Sequence, residues 1–176
     1  MRKTAIAAAS ALFIGGAGML TFAVPAFAVT TAGTPVTVEI TGGALAITVP
    51  AAADLGTADA SVSAQTVTGS LGPVVVSDLR GDILGWVTTA GSTNFTGGAG
   101  IPASAETYTP GTAVVTGIAT VTPITLDGMT AGGGTVQTAT AVTGVNTATW
   151  TPTIAVVVPA GAVAATYSAT ITHSVS

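Results

Sequence analysis

Residues 74–86 read Val-Val-Val-Ser-Asp-Leu-Arg-Gly-Asp-Ile-Leu-Gly-Trp, and this stretch is the strongest indication of the fold. Three consecutive valines predict a buried strand, because β-branched side chains pack well on a pleated surface. A turn follows, centred on Gly81, and Gly85 leads into a second strand that begins at Trp86. The two strands should form either a hairpin or a corner between two sheets.

The turn in this stretch also concentrates charge. Charged residues make up only 6% of the chain, against about a quarter in an ordinary domain, so three charges within five residues indicate a specific structural role. We expect Arg80 to form a half-buried ion pair with Asp78 or Asp82 that ties down the turn. The alternative is functional, because Arg80-Gly81-Asp82 spells the tripeptide that integrins bind in adhesins.

The rest of the chain shows the period-two hydrophobic pattern of half-buried strands. The residues are rich in Thr, Val, Gly and Ala, and turn dipeptides separate the patterned segments. Alternation is clear in residues 36–41 and 45–49, and it is strictest over residues 163–175, after a turn at Pro159-Ala160-Gly161. The pattern predicts an all-β fold, an antiparallel β-sandwich of the Ig-like or Greek-key type, with a closed barrel as the alternative.

The N-terminus has the pattern of a secretory signal peptide over residues 1–28. Arg2 and Lys3 precede a long apolar run, and Ala26-Phe27-Ala28 fits the small-x-small cleavage rule. The alternative is an uncleaved membrane anchor, since the apolar run is long enough to span a bilayer. We expect cleavage, which leaves a single domain over residues 29–176 with no membrane span.

Charge and cysteine content exclude several classes of function. Without the leader, Arg80 is the only cation against seven acidic residues, so the basic surface that nucleic acid or anionic membrane requires is missing. The chain has no cysteine, so we expect no disulfide framework. The fold must therefore be held by its core and its backbone hydrogen bonds.

Two stretches together resemble the WxL domain of Gram-positive surface proteins. Residues 76–81 followed by Gly85-Trp86 are similar to the first motif of that family, and residues 158–161 with 165–172 are similar to the strand pair that carries the second. The triplets diverge, since the first reads Trp86-Val87-Thr88 and the second reads His173-Ser174-Val175. The resemblance implies a module of the cell wall or cell surface that binds peptidoglycan non-covalently.

Three aromatic residues are the candidates for ligand or partner binding: Trp86, Tyr167 and His173. Trp86 could stack on a sugar ring, although a core position between the sheets is the stronger alternative, as it is for Trp150. Tyr167 and His173 fall on the same apolar face of the last predicted strand. His173 is the only histidine and no cysteine accompanies it, so we expect neither a metal site nor any other cofactor.

The sequence also lacks the signature of a hydrolase, since no Gly-x-Ser-x-Gly elbow is present. We therefore expect a secreted, non-enzymatic cell-surface module that is retained by peptidoglycan or by another surface protein. One alternative is a self-assembling structural subunit of a layer or filament, because low charge leaves strand edges poorly guarded. An adhesin is the second alternative, and a secreted hydrolase is the weakest.

Overall fold

The computed structural model describes residues 33–176, and the predicted signal peptide lies outside them. Nearly all regular structure is β, as predicted, with one short 3₁₀ turn at Ala103–Ala105. No helix in the described part of the chain is long and apolar enough to cross a membrane. The strands are β1 (Leu45–Thr48), β2 (Gln65–Ser70), β3 (Val74–Asp78), β4 (Trp86–Ser92), β5 (Glu106–Thr109), β6 (Val114–Pro123), β7 (Leu126–Asp127), β8 (Gly134–Trp150), β9 (Thr153–Val158) and β10 (Ile171–Val175).

The strands form two antiparallel sheets, which confirms the prediction of an all-β sandwich. In the larger sheet β8 is central. It pairs with β6 on one side and with β3 and β4 on the other, and β1 and β10 lie outside these. The smaller sheet has the order β2-β9-β5-β7. None of the described strands is hydrogen-bonded to the strand next to it in sequence.

The prediction of a hairpin or corner around residues 79–85 is wrong. β3 and β4 run in the same direction along one edge of β8, where Val74 faces Trp150 and Trp86 faces Ala139. The charged turn is an excursion between two collinear strands. The chain returns to this edge at Gly85. A glycine is needed there, because a Cβ would clash with the carbonyl oxygen of Ala139.

The sequence predicts only part of the long strand β8, since residues 136–142 alone have a strand pattern and that pattern is weak. Its 17 residues are kinked rather than straight, since the register with β6 shifts around Ile118. Ala141 has a φ of 51°, in the left-handed region that a residue with a Cβ seldom occupies. Gly144 and Gly117 take positive φ nearby and complete the kink.

Residues 36–41 do not form the predicted strand. Val36, Val38 and Ile40 have 88%, 89% and 90% of their surface exposed. A continuation of β1 in the N-terminal direction would run past the charged turn and along β4. That edge of β4 is already paired with β10, so residues 36–41 cannot pair there.

The C-terminal strand is shorter than the alternation predicts. β10 covers only Ile171–Val175, although alternate exposure begins at Tyr167. The turn at residues 159–161 does form, and the Gly161 N–H donates to the Ser61 carbonyl oxygen. It takes the chain from β9 in the smaller sheet to the larger sheet, so the last two strands do not pair with each other.

The sandwich interior contains two apolar clusters. The first surrounds both tryptophans and is built by β3, β4 and β8. The second surrounds Tyr108 and Met129 and joins β5 and β9 to β8. At about 25 cal/mol for each Å² of apolar surface removed from water, such clusters supply most of the stability of a domain without disulfides.

Candidate functional site

The charged turn is closed by a two-point ion pair. Arg80 Nε donates to Asp78 Oδ1 (2.9 Å) and its Nη2 donates to Oδ2 (3.0 Å). The same Nη2 also donates to the carbonyl oxygens of Leu84 and Gly85, at 3.2 and 3.1 Å. The side chain of Asp78 is 1% exposed and that of Arg80 is 23% exposed. Arg80 thus joins both ends of the turn to the end of β3.

Asp82 accepts backbone hydrogen bonds instead of pairing with Arg80. Its carboxylate accepts the N–H of Leu84 (2.9 Å), and its carbonyl oxygen accepts the N–H of Gly144 in β8 (2.9 Å). Of the two predicted partners, Arg80 therefore pairs with Asp78. The hydrogen bonds from Arg80 hold the pKa of Asp78 below its usual value, against the opposing effect of burial.

Trp86 lies in the core rather than on a binding surface, as the stronger alternative had it. It is 1% exposed, and its indole N–H donates to Asn146 Oδ1 (3.2 Å). The amide of Asn146 donates in turn to Asp78 Oδ2 (3.3 Å). The charged turn and Trp86 are therefore one hydrogen-bonded unit, in which Asn146 joins the tryptophan to the ion pair. Trp150 is buried as well.

His173 takes part in a second buried polar chain. Trp150 Nε1 donates to the Tyr108 hydroxyl (3.2 Å), which lies 3.0 Å from His173 Nε2. Which of these two atoms donates depends on the tautomer of the imidazole. The other ring nitrogen, Nδ1, is buried without a partner in the described residues.

Burial shifts the pKa values of Tyr108 and His173 in this hydrogen-bonded group. It raises the pKa of Tyr108 to about 12, so the hydroxyl keeps its proton at neutral pH. It lowers the pKa of His173 below the usual 6.5. Both effects favour the uncharged forms of the two side chains. His173 meets Tyr108 and no serine or carboxylate in the described chain, so the geometry of a nucleophilic triad is missing there.

A groove of about 920 Å³ opens along one flank of the sandwich, between the edge strands β2 and β10. We call it the lateral groove. Its floor consists of apolar side chains, and two irregular connections, residues 49–61 and 162–170, form its walls. A volume of this size is in the range of small-molecule sites. The floor residues are Val67, Val156, Val158 and Ile171.

The lateral groove brings together two of the three predicted binding residues. Tyr167 and His173 both line it, together with Phe95, whereas Trp86 does not. The Tyr167 hydroxyl donates to the carbonyl oxygen of Val163 (2.9 Å). Its ring lies against Gly98, where any Cβ would collide with it. Tyr167 is thus a fixed aromatic surface at the mouth of the groove.

The rim of the groove is acidic. Asp54 and Asp59 lie in its wall, and both are exposed. Arg80, the only cation among residues 33–176, belongs to the charged turn and does not line the groove. The rim therefore repels anions and accepts neutral or cationic groups.

One buried acid, Glu106, was not among the residues predicted from the sequence. Glu106 is fully buried, and its Oε1 lies 2.8 Å from the Ser92 hydroxyl, while Oε2 has no partner in the described residues. Burial raises the pKa of Glu106. The signal was the alternation of β5, where Glu106 and Tyr108 share the inward face and Thr107 and Thr109 the outward one.

The described residues include no group of three or more histidines and acids that could bind a metal ion. No family model matches the chain, and no curated protein and no solved structure matches it. The resemblance to the WxL domain therefore depends on the motif residues alone, and it stays a prediction.

Proposed function

We propose that this chain is a secreted, non-enzymatic module of a Gram-positive cell surface that binds peptidoglycan non-covalently in the lateral groove. The observation that carries the proposal is the groove itself, in which Tyr167 and Phe95 present aromatic surface above an apolar floor. The less polar face of a sugar ring packs on such a surface, and Tyr167 adds little entropic cost because its hydroxyl is hydrogen-bonded to the carbonyl oxygen of Val163.

The charge of the rim narrows the ligand class within the wall. Asp54 and Asp59 disfavour phosphate-rich wall polymers, whereas the glycan strands of peptidoglycan carry no phosphate. This favours peptidoglycan over anionic polymers. A separate observation disfavours the adhesin alternative. The Arg80 and Asp82 side chains of the Arg-Gly-Asp tripeptide are hydrogen-bonded within their own turn.

Binding to purified sacculi tests the proposal. The full chain, expressed with its leader in a Gram-positive host, is incubated with sacculi before and after removal of anionic polymers. Wild type should bind both preparations, and Tyr167→Ala should lower the affinity by about tenfold, which corresponds to about 1.4 kcal/mol. Ile118→Ala is the matched control, because Ile118 is exposed on the distant edge strand β6.

Two results would contradict the proposal. One is binding that disappears when anionic polymers are removed, which would identify those polymers as the ligand. The other is equal retention of Tyr167→Ala and Ile118→Ala, provided that both variants melt near the wild-type temperature. Soluble muropeptides added in excess should release the bound wild type.

A further inference from the structure

Residues 36–41 have the pattern of a strand but no partner. Val36, Val38 and Ile40 alternate with Thr37, Glu39 and Thr41, and the three apolar side chains are almost fully exposed. Single exposed apolar residues are ordinary on a surface, but three on one face at period two are the pattern of a strand that buries this face. The partner that covers this face is missing from the described fold.

The larger sheet leaves no position for residues 36–41 beside β3 and β4. Gly43 and Ala44 still follow β3, where Gly43 N–H donates to Leu79 O (2.6 Å). Farther along, Val87 and Ser176 exchange backbone hydrogen bonds of 2.9 and 3.1 Å. The position that residues 36–41 would take beside β4 is therefore filled by the end of β10.

The outer edge of β10 offers an unpaired ladder. Thr170 and Ser176 direct their backbone groups towards β4. By the alternation of antiparallel pairs, Ile171, His173 and Val175 direct their N–H and C=O groups outward. No backbone hydrogen bond in the described chain reaches these groups. The edge also lacks the lysine or proline that commonly blocks pairing with another chain.

The inward side chains of β10 are only partly covered. Ile171, His173 and Val175 are half-buried, whereas Thr88 and Ala90 on the adjacent strand β4 are at most 1% exposed. The larger sheet thus stops one strand short of covering its core on this flank. Three partly exposed inward residues on β10 match three apolar residues at the same period in residues 36–41.

We propose that residues 36–41 of one copy add as a strand to the outer edge of β10 in a second copy. Val36, Val38 and Ile40 would face inward over the flank, and Thr37, Glu39 and Thr41 would face water. Six residues span about 20 Å, which is sufficient to pair with all of β10. Donor and acceptor are different surfaces, so the contact is head-to-tail and repeats into chains of copies. This inference goes beyond the proposed binding of peptidoglycan.

Val38→Asp and Thr37→Asp form a matched pair of variants for the test. Both place an acid in the exposed segment, on opposite faces of the added strand, and neither disturbs the core. The full chain, expressed with its leader in a Gram-positive host, is studied by sedimentation velocity over a wide range of concentration. Wild type and Thr37→Asp should form concentration-dependent oligomers, and Val38→Asp should associate at least tenfold more weakly, because it buries a charge.

Amide exchange locates the contact. In wild-type oligomers the amides of Ile171, His173 and Val175 should exchange more slowly than in Val38→Asp, and a synthetic peptide of residues 34–41 should protect them while it disperses the oligomers. A wild type that stays monomeric at millimolar concentration would overturn the proposal, as would equal assembly of the two variants. The added strand would lie on the β10 side of the lateral groove and would compete there with peptidoglycan. Sacculus binding is therefore compared at a concentration at which sedimentation shows only monomers, where Val38→Asp and wild type should bind equally, and this comparison tests the proposed function separately.

Discussion

Replacing Arg80 by alanine should destabilise the fold far more than the loss of an ordinary surface ion pair. Asp78 would keep only the hydrogen bonds from the backbone N–H at position 80 (3.2 Å) and from Asn146 (3.3 Å), while its side chain stays 1% exposed. Leaving a buried carboxylate without its partner costs about 3–5 kcal/mol, whereas an exposed pair contributes about 1 kcal/mol at most. Because Arg80 is 23% exposed and water can partly replace it, we expect a loss of about 3 kcal/mol.

Equilibrium unfolding in guanidinium chloride measures this loss. Trp86 is a built-in probe, since its indole is hydrogen-bonded to the residue that contacts Asp78. Thr172→Ala on the exposed face of β10 is the control, with an expected change within about 0.5 kcal/mol. A loss for Arg80→Ala no larger than that of the control would refute the reasoning. Asp78→Asn combined with Arg80→Ala should recover part of the stability, because no buried charge is left.

The pH dependence of Arg80→Ala provides an independent test. In wild type the pKa of Asp78 is lowered, so its contribution to stability is complete above 3.8 and is lost as pH falls through the folded pKa. Without the Arg80 side chain, burial is the largest remaining influence on the pKa of Asp78, opposed by the hydrogen bonds from the backbone N–H at position 80 and from Asn146, so this pKa should be higher than in wild type. The loss of stability relative to wild type should therefore shrink as pH falls from 7 towards 4. A variant whose stability falls in parallel with wild type over this range would exclude a buried, unpaired Asp78.

Three further predictions concern other elements. Burial raises the pKa of Glu106, so its contribution to stability is complete below 4.5 and is lost as pH rises through the folded pKa; Glu106→Gln should therefore be more stable than wild type at pH 8 but not at pH 4 in thermal melts. The pKa of His173 is lowered, so its contribution is complete above 6.5 and is lost as pH falls through the folded pKa; His173→Gln keeps an uncharged hydrogen-bonding group for Tyr108 and should flatten the decline in melting temperature below pH 6.5, and an unchanged slope would contradict this. Ala141→Gly removes the strain of a positive φ and should stabilise by about 1 kcal/mol in chemical denaturation, whereas Ala46→Gly in the regular strand β1 should destabilise by about 0.5–1 kcal/mol.

Alternation predicted which side of a strand faces inward, because that pattern depends only on the pleat. Leu45 and Ile47, and every second residue from Tyr167 to Val175, occupy the inward positions that the sequence indicates. Pairing was not predictable in the same way. Thr89 faces Ser174, and nothing local in either segment indicates a partner so distant in the chain.

Turn residues were the main source of error. A dipeptide such as Ala160-Gly161 predicts that the chain reverses, but not that the next strand joins the other sheet. The lateral groove was missed for a related reason. Residues 49–61 are small and show no periodicity, and they become a wall only because the two sheets place β2 and β10 opposite each other.

The inward polar residues of β8 explain why that strand read as weak. Gln137 and Asn146 interrupt its hydrophobic pattern, and both are buried. Their amides are used by distant groups, since Gln137 donates to Gly111 O (3.0 Å) and Asn146 donates to Asp78. A polar residue at an inward position appears unfavourable in sequence until its tertiary partner is known.

The absence of pairing between successive described strands has a consequence for the kinetics of folding. A hairpin gains hydrogen bonds by closing a short loop, but β4 must wait for β8 and β10, which come much later in the chain. Proteins dominated by such distant pairings fold in milliseconds to seconds or more slowly. β10 is the last strand to be synthesised, so a ribosome-bound chain that still lacks these residues has an unpaired β4 edge.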